Sequence, residues 1–364
     1  MPRVIGIDPG TVSIDVCGLE DGRVFLEESF PTREALSDPK RLVAVLESRA
    51  PVDLIAGPSG YGLPLRHARD LTETDIRLAY LARDDDAGGI GGMRSLARAL
   101  AASELPVVFT PGVIHLPTVP AYRKVNRVDM GTADKVCAAA LGVHDQAKRR
   151  GCGITDVSLI LLELGGAFSA AIAVERGQIV DGLGGSSGPI GARAPGALDG
   201  EVAYLAGNVS KRMVFEGGAA AVTDDADDDV TWLTAPSSAS AKTAWFAYIE
   251  GAVKAVAMLL VSAPSAREVV VSGRMAAVDR VRDELSRRLA TVAPQLAVHP
   301  LRGFSSRAKQ GAQGAALVAS GLAGGREAEI VSVTGIQRAS GTALDHLAII
   351  RPAFARMRLG IDGV

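Results

Sequence analysis

Residues 4–25 read "VIGIDPGTVSIDVCGLEDGRVF", and 155 positions later residues 159–180 read "LILLELGGAFSAAIAVERGQIV". Laid over each other without a gap, both stretches end a short apolar run in an acid, Asp8 against Glu163. A shared glycine follows two residues on, Gly10 against Gly165. A second, Gly22 against Gly177, stands where a tight turn would join the next segment to a third strand. The likeness is one of pattern, and two widely spaced copies indicate a duplicated domain and not a solenoid.

Working outward, residues 3–8, 12–20 and 23–30 alternate or run apolar between turns at Pro9-Gly10 and Asp21-Gly22, the pattern of an antiparallel meander. "DPKRLVAVLES" reads as a helix, "VDLIAGPSGYG" as a buried strand ending in a glycine-rich loop, and "LPVVFT" as a further strand. A 3.6-residue apolar period from Thr132 to Arg149 predicts the helix that closes the first domain. The second copy starts at Val157 and runs into a glycine-rich connection, residues 182–200. A helix over 242–262, a strand in "REVVVSGRM", an amphipathic helix in "AAVDRVRDELSRRLA", a short strand near Leu296 and a small-residue helix in "SRAKQGAQGAALVASGL" follow. The expected domains are 1–150 and 151–324, with a tail, 325–364. In that tail "GTALDHLAIIRPAF" reads as one more helix or as an interface segment.

Composition sets limits on function. At 364 residues the chain exceeds what one core usually serves, so two domains are expected. Lys and Arg (39) nearly balance Asp and Glu (41), which argues against a partner recognised through nucleic-acid phosphates. No run approaches about 18 uninterrupted apolar residues, so no membrane span is expected. Asp8 and Pro9 stand where a secretory leader would be apolar, and cytoplasmic is the default location. Cys17, Cys137 and Cys152 have no metal-ligand or redox spacing and read as reduced thiols. The acidic run at 224–229 reads as a solvated loop, with a divalent cation as the alternative.

A strand that ends in a carboxylate, followed by glycine and a small hydroxyl residue, brings an acid and exposed backbone N–H groups to one point. Glycine lets that turn approach a phosphate, and the carboxylate can hold the hydrated Mg²⁺ of a nucleotide. Two such hairpins from two similar domains would grip a polyphosphate from both sides of a cleft. The other reading of Gly10, Gly165 and Gly166 is ordinary hairpin turns, which leaves the repeated acid unexplained. No G-x-x-x-x-G-K-[ST] occurs, and the glycine clusters at 88–92 and 182–191 do not fit G-x-G-x-x-G after a strand.

In this order the motifs resemble those of the actin-like ATPase and sugar-kinase superfamily. "IDPGTVSIDVCGLEDG" stands as first phosphate motif, "LELGGAFSAAIAVERGQI" as second, and "VVVSGRMAAV" as adenosine motif. The resemblance spans roughly residues 4–322. It implies an α/β fold of two duplicated ribonuclease H-like domains with an interdomain cleft, and ATP with Mg²⁺ as cofactors. Gly10, Thr11, Ser13, Gly165, Gly166, Gly273 and Arg274 would be the nucleotide and phosphate contacts, and Asp8 and Glu163 would hold Mg²⁺ through water.

Within the superfamily the chain is similar to acetate and butyrate kinases, and as a whole to the group described as predicted butyrate kinases. Their glycine-rich loop G-T-R-S-G-D-I-D-P corresponds here to "GARAPGALDG", residues 191–200. This implies that Arg193 stabilises the transferring phosphoryl group and that Asp199 starts the next helix. In "YRKVNRVDMGTADK", Asp129 is the choice for the acid that acyl kinases keep near that group, helix capping being the other reading. Arg123, Lys124 and Arg127 read as an anion contact or as a solvated strand end. Pro58 and Ser59 depart from the family's substrate-side arginine, Asp8 departs from the asparagine of acetate kinases, and Arg66 and His67 are candidates for the missing charge.

The expected activity is phosphorylation of a short-chain carboxylate to an acyl phosphate. A kinase for a hydroxyl acceptor, using Asp129 as base, and a non-transferring ATPase acting on a protein partner are the alternatives. A cleft that has lost nucleotide binding stays open as well. The resemblance also implies a homodimer, with the tail as an interface segment.

Overall fold

The computed structural model describes residues 2–57, 59–83, 89–223 and 231–361. Pro58, the acidic run at 224–229 and part of the glycine cluster at 88–92 lie outside them. In chain order the first half contains β1 (Arg3–Pro9), β2 (Ser13–Glu20), β3 (Arg23–Pro31), α1 (Thr32–Ser37), α2 (Pro39–Glu47), β4 (Leu54–Gly57), β5 (Arg66–His67), α3 (Glu73–Tyr80), α4 (Gly89–Ala101), β6 (Val107–Phe109), α5 (Ala121–Lys124) and α6 (Ala133–Arg150). The second half contains β7 (Leu159–Leu164), β8 (Ser169–Glu175), β9 (Gln178–Leu183), α7 (Gly200–Ala206), α8 (Lys211–Phe215), α9 (Thr231–Thr234), α10 (Ala239–Leu259), β10 (Glu268–Ser272), α11 (Asp279–Val292), β11 (Ala297–Pro300), α12 (Gln310–Leu322), α13 (Ala328–Val333) and α14 (Pro352–Arg358).

The duplication read from the sequence is a duplication of topology. One sheet runs β3-β2-β1-β4-β6-β5 and the other β9-β8-β7-β10-β11, so a meander flanked by parallel strands recurs with the same order. Even the register repeats at the 155-residue offset: Asp8 faces Asp15 across β1 and β2, and Glu163 faces Ala170 across β7 and β8. The turns repeat too. Asp21 and Gly22 have φ of 52° and 74°, and Arg176 and Gly177 have 51° and 76°. Two successive residues with positive φ make the type I′ hairpin, whose twist matches the strands it joins.

The chain divides into two compact units. One holds the residues up to Asp156, Gly177–Ile179 and the chain from Arg302 onward; the other holds Val157–Arg176 and Val180–Leu301. The difference from the expected boundary at 324 is α12, which belongs to the first unit. Its small-residue face packs against β1, where a Cβ on Gly6 would collide with the Ala312 carbonyl and the Ala316 N–H. It packs equally tightly on α6, where a Cβ on Gly314 would collide with the Cys137 carbonyl. Leu317 and Val318 of α12 are buried, each worth about 1.5–3 kcal/mol relative to exposure.

On the other face of the first sheet, Ile5, Ile7, Val16 and Ile55 pack with Leu42, Leu46 and Leu96 of α2 and α4. In the second unit the strands bury Ile160, Leu162, Val269 and Val271 against Tyr248 and Ile249 of α10 and Leu285 and Leu289 of α11. The expected helix in "GTALDHLAIIRPAF" forms only from Pro352, which occupies the first turn of α14, where its missing N–H costs nothing. Residues before it are held instead by side chains: Asp345 accepts from the Thr342 N–H at 2.7 Å, and Asn126 Oδ1 accepts from Ala348 and Ile349 N–H at 2.7 and 2.8 Å. Among the described residues no helix is long and apolar enough to cross a membrane.

Candidate functional site

In each unit the C-terminal ends of the parallel strands gather the predicted residues, the edge where open α/β sheets bind ligands. Asp8 ends β1 buried, with its carboxylate against the first turn of α12: a Cβ on Gly311 would lie 2.7 Å from Asp8 Cγ. The positive end of a helix dipole favours a carboxylate there. Beyond Asp8 the Gly10 N–H donates to the Asp8 carbonyl at 3.1 Å, and Thr32 Oγ1 donates to the Gly10 carbonyl at 2.7 Å, which closes the turn. Thr11 is exposed at its tip, and Ser13 Oγ donates to Asp15 Oδ2 at 2.8 Å.

Asp15 and Lys309 were not singled out from the sequence. Two like charges opposite each other on adjacent strands are unfavourable, and Asp8 faces Asp15. Lys309, at the N-cap of α12, offsets them: its Nζ lies 2.7 Å from Asp15 Oδ2 and donates to the Ser13 carbonyl at 2.7 Å.

Three loops of the first unit meet one another. Ser59 is buried; its Oγ accepts from the Thr110 N–H at 2.7 Å and donates to the Gly57 carbonyl at 3.2 Å, tying the loop after β4 to the end of β6. The residue in the expected arginine position is therefore a strut. Gly62 packs on Gly112 with no room for a Cβ, and the Val113 N–H donates to the Gly131 carbonyl at 3.0 Å. Asp129 is buried and accepts from the Gly131 N–H at 3.1 Å, three residues before the Thr132 N-cap of α6.

The acid in the first turn of α6 is Asp134, bonded to the Thr132 hydroxyl and the Lys135 ammonium. Burial pushes its carboxyl up, but Lys135 and Thr132 outweigh that and hold it below the ordinary range. Asp134 and Asp8 both act on the buried Cys137 thiol, which burial, with those two charges, drives up to about 12 against a bond from Thr110. Both carboxylates thus sit near one point of α6. The sequence signal for Asp134 was its place in the first helical turn, which equally marks a helix-dipole acid.

The second unit builds its half from Glu163 at the end of β7. The Gly165 N–H donates to the Phe168 carbonyl at 2.9 Å and closes the hairpin over Gly166. Gly273, with φ of 92°, lies against that same hairpin; a Cβ there would collide with the Leu164 carbonyl and approach Gly165 N to 3.0 Å. Gly273 and the Gly165 hairpin are thus in backbone contact, and Arg274 follows, exposed. Ser272, beside Glu163 in the β10–β7 register, is buried.

Arg193 sits on the turn as well. Its Nε donates to the Gly166 carbonyl at 3.2 Å, its N–H donates to the Ala167 carbonyl at 3.0 Å, and its side chain is exposed. Asp199 caps α7, accepting from Glu201 N–H at 2.8 Å and Val202 N–H at 3.3 Å.

Other candidates lie elsewhere or are occupied. Lys124 is buried and donates to the Leu116 carbonyl at 2.9 Å, and burial lowers its pKa. Arg123 stacks on Tyr122 at 5.6 Å. Arg66 and His67 form β5 at the sheet edge, where Arg66 turns to Asp75 at 3.8 Å. Among the described residues no three His, Cys, Asp or Glu side chains gather into a metal cage. The buried Asp8 carboxylate suits instead a hydrated Mg²⁺, which needs one or two carboxylates besides phosphate oxygens.

These two sheets and their turns define the actin-like ATPase and sugar-kinase fold, and solved structures match it over nearly their whole length. A propionate kinase from Francisella tularensis subsp. tularensis SCHU S4 matches with a TM-score of 0.61 at 13% identity, over 86% of this chain and 99% of that one. An acetate kinase from Entamoeba histolytica matches at 0.57 and 11%, over 82% and 96%. The acetate kinase of Porphyromonas gingivalis matches at 0.57 and 12%, over 86% and 98%. At such identities the likeness is one of fold. The chain belongs to the family described as protein of unknown function (DUF1464), whose model matches residues 6–349. No curated protein matches it.

Proposed function

We propose that the protein is an ATP-dependent phosphotransferase that converts a short-chain carboxylate to an acyl phosphate, as in a butyrate kinase. The observation that carries this reading is Arg193, exposed and seated by its Nε on the Gly166 turn. Phosphoryl transfer depends on positioning and on neutralising charge, which a guanidinium at a phosphate turn supplies. That structures named acetate and propionate kinase share the fold supports it.

In this reading Asp8 and Glu163 hold Mg²⁺ through its waters, and the metal supplies charge neutralisation on the phosphates. The turns at Gly10, Thr11 and Ser13 and at Gly165 and Gly166 would lie against the phosphates, and Gly273 and Arg274 would flank the nucleoside. A carboxylate acceptor is already ionised at neutral pH and needs no base. A hydroxyl acceptor needs one whose pKa lies near the working pH. Asp134 is bonded to the Lys135 ammonium and the Thr132 hydroxyl, which hold its carboxyl low. Asp129, bonded through Oδ1 to the Gly131 N–H, is the residue left for that role if the acceptor is a hydroxyl.

The test is a hydroxamate assay with Mg²⁺–ATP and a panel of C2 to C6 carboxylates, beside the Asp8→Asn variant. Hydroxylamine traps an acyl phosphate and not a phosphate ester. Product from one chain length, lost in the variant, is expected. Asp8-dependent ATP turnover without hydroxamate would redirect the search to hydroxyl acceptors or a protein partner. No ATP turnover would remove the reading.

A further inference from the structure

We infer that Lys309 is the cation the first unit presents to phosphate, and that Asp15 is the residue that positions it. The inference rests on the reading above that the Gly10–Ser13 turn binds nucleotide phosphate. Its ground is the geometry of one ammonium group. Lys309 Nζ packs on the bare face of Gly10, 2.5 Å from where a Cβ would stand. An ammonium has three hydrogens to donate. One goes to Asp15 Oδ2 and one to the Ser13 carbonyl, each at 2.7 Å. Among the described residues the third meets no acceptor, and the side chain is 37% exposed beside the exposed Thr11 and Val12.

Local rules argue against a lysine at this position. It is the N-cap of α12, where a side-chain oxygen is preferred and the helix dipole repels a positive charge. Conflicts of this kind are expected where a site requires them. The surroundings hold Lys309 in place despite the conflict. Asp15 is buried and also accepts from Ser13, so its charge is committed to this corner. The loop leading to Lys309 is fixed by Gln313, whose Oε1 accepts from the Phe304 and Ser305 N–H groups at 2.8 and 3.0 Å. Its Nε2 donates to the Ser305 and Ala308 carbonyls at 3.1 and 2.6 Å. An ammonium with a free donor at a phosphate-sized turn is preorganised for an anionic oxygen. The second unit has no counterpart to Asp15, because Ala170 stands at that register position.

The test compares wild type, Lys309→Met, Lys309→Arg and Asp15→Asn by titration with a fluorescent non-hydrolysable ATP analogue, with melting curves alongside. Lys309→Met is expected to weaken binding about tenfold or more, Lys309→Arg to recover part of it, and Asp15→Asn to weaken it less. Wild-type binding that Lys309→Met leaves unchanged would overturn the role of Lys309 and spare the phosphotransferase reading. Absence of binding by wild type would remove both. A second measurement needs no variant. Acylation of Lys309 by an amine reagent, followed by peptide mass spectrometry, should slow when ADP or pyrophosphate is added. An unchanged rate in protein that binds the analogue would likewise overturn the assignment.

Discussion

Gly311 brings the first turn of α12 so close to Asp8 that a Cβ on Gly311 would lie 2.7 Å from both Asp8 Cγ and Oδ2. The acid at the end of β1 is therefore aimed by a helix more than 300 positions away in the chain. Gly311→Ala forces the carboxylate or the helix aside. Overpacking of this kind costs about 1–3 kcal/mol. A lower melting temperature is expected together with reduced ATP turnover; a variant that keeps both would show that Asp8 is not held by this contact.

Gly273 and Gly165 predict a ranking. Gly273 has φ of 92° and no room for a Cβ against Leu164, whereas a Cβ on Gly165 would only approach the Phe168 carbonyl to 3.0 Å. Gly273→Ala should lower the denaturation midpoint more than Gly165→Ala, with a loss of at least about 1–3 kcal/mol from backbone strain alone. The reverse order would show that the hairpin and not the β10 turn is the rigid partner.

Arg193→Ala should lower kcat more than it weakens ATP binding, since the guanidinium is assigned to the transferring group. Arg193→Lys should not restore the rate, because an ammonium cannot reproduce the planar fork that rests on Gly166. A rise in KM with kcat unchanged would make Arg193 a ground-state contact.

His115 makes the first unit acid-sensitive. It is 2% exposed, its Nδ1 lies 3.3 Å from the Gly112 carbonyl, and among the described residues its Nε2 is buried without a partner. Burial lowers its pKa to about 4, with Lys124 and His346 acting in the same direction and Gly112 and Asp345 against it. The folded pKa lies below the unfolded value near 6.5, so the unfolded chain takes up the proton first. Stability is then complete above about pH 6.5 and falls as pH drops toward 4, by an amount of order 3 kcal/mol. Urea midpoints measured from pH 7 to 4 should decline less steeply in His115→Gln than in wild type. Burial lowers the His144 pKa as well, against Glu327, so a residual slope should remain.

Much of the frame was legible because it is local. Asp21-Gly22 and the matching Gly177 announced the two hairpins, and the apolar period after Thr132 announced α6. Arg193 meets the Gly165–Gly166 turn that follows Glu163. Asp129 and Asp134 are both acids near a helix start, which the sequence does not tell apart. Only the turn at Gly131 separates the one that bonds Gly131 from the one that neighbours Cys137 with Asp8.

By itself the sequence determined the repeated meander, its tight turns and the acid that ends each first strand, because strand period, turn residues and glycine act over a few positions. The tertiary structure alone decided that α12 belongs with β1 and that Lys309 meets Asp15. A stripe of small residues states that a helix will pack closely and leaves its partner open. That partner is Gly6, the position on β1 where two backbones can touch.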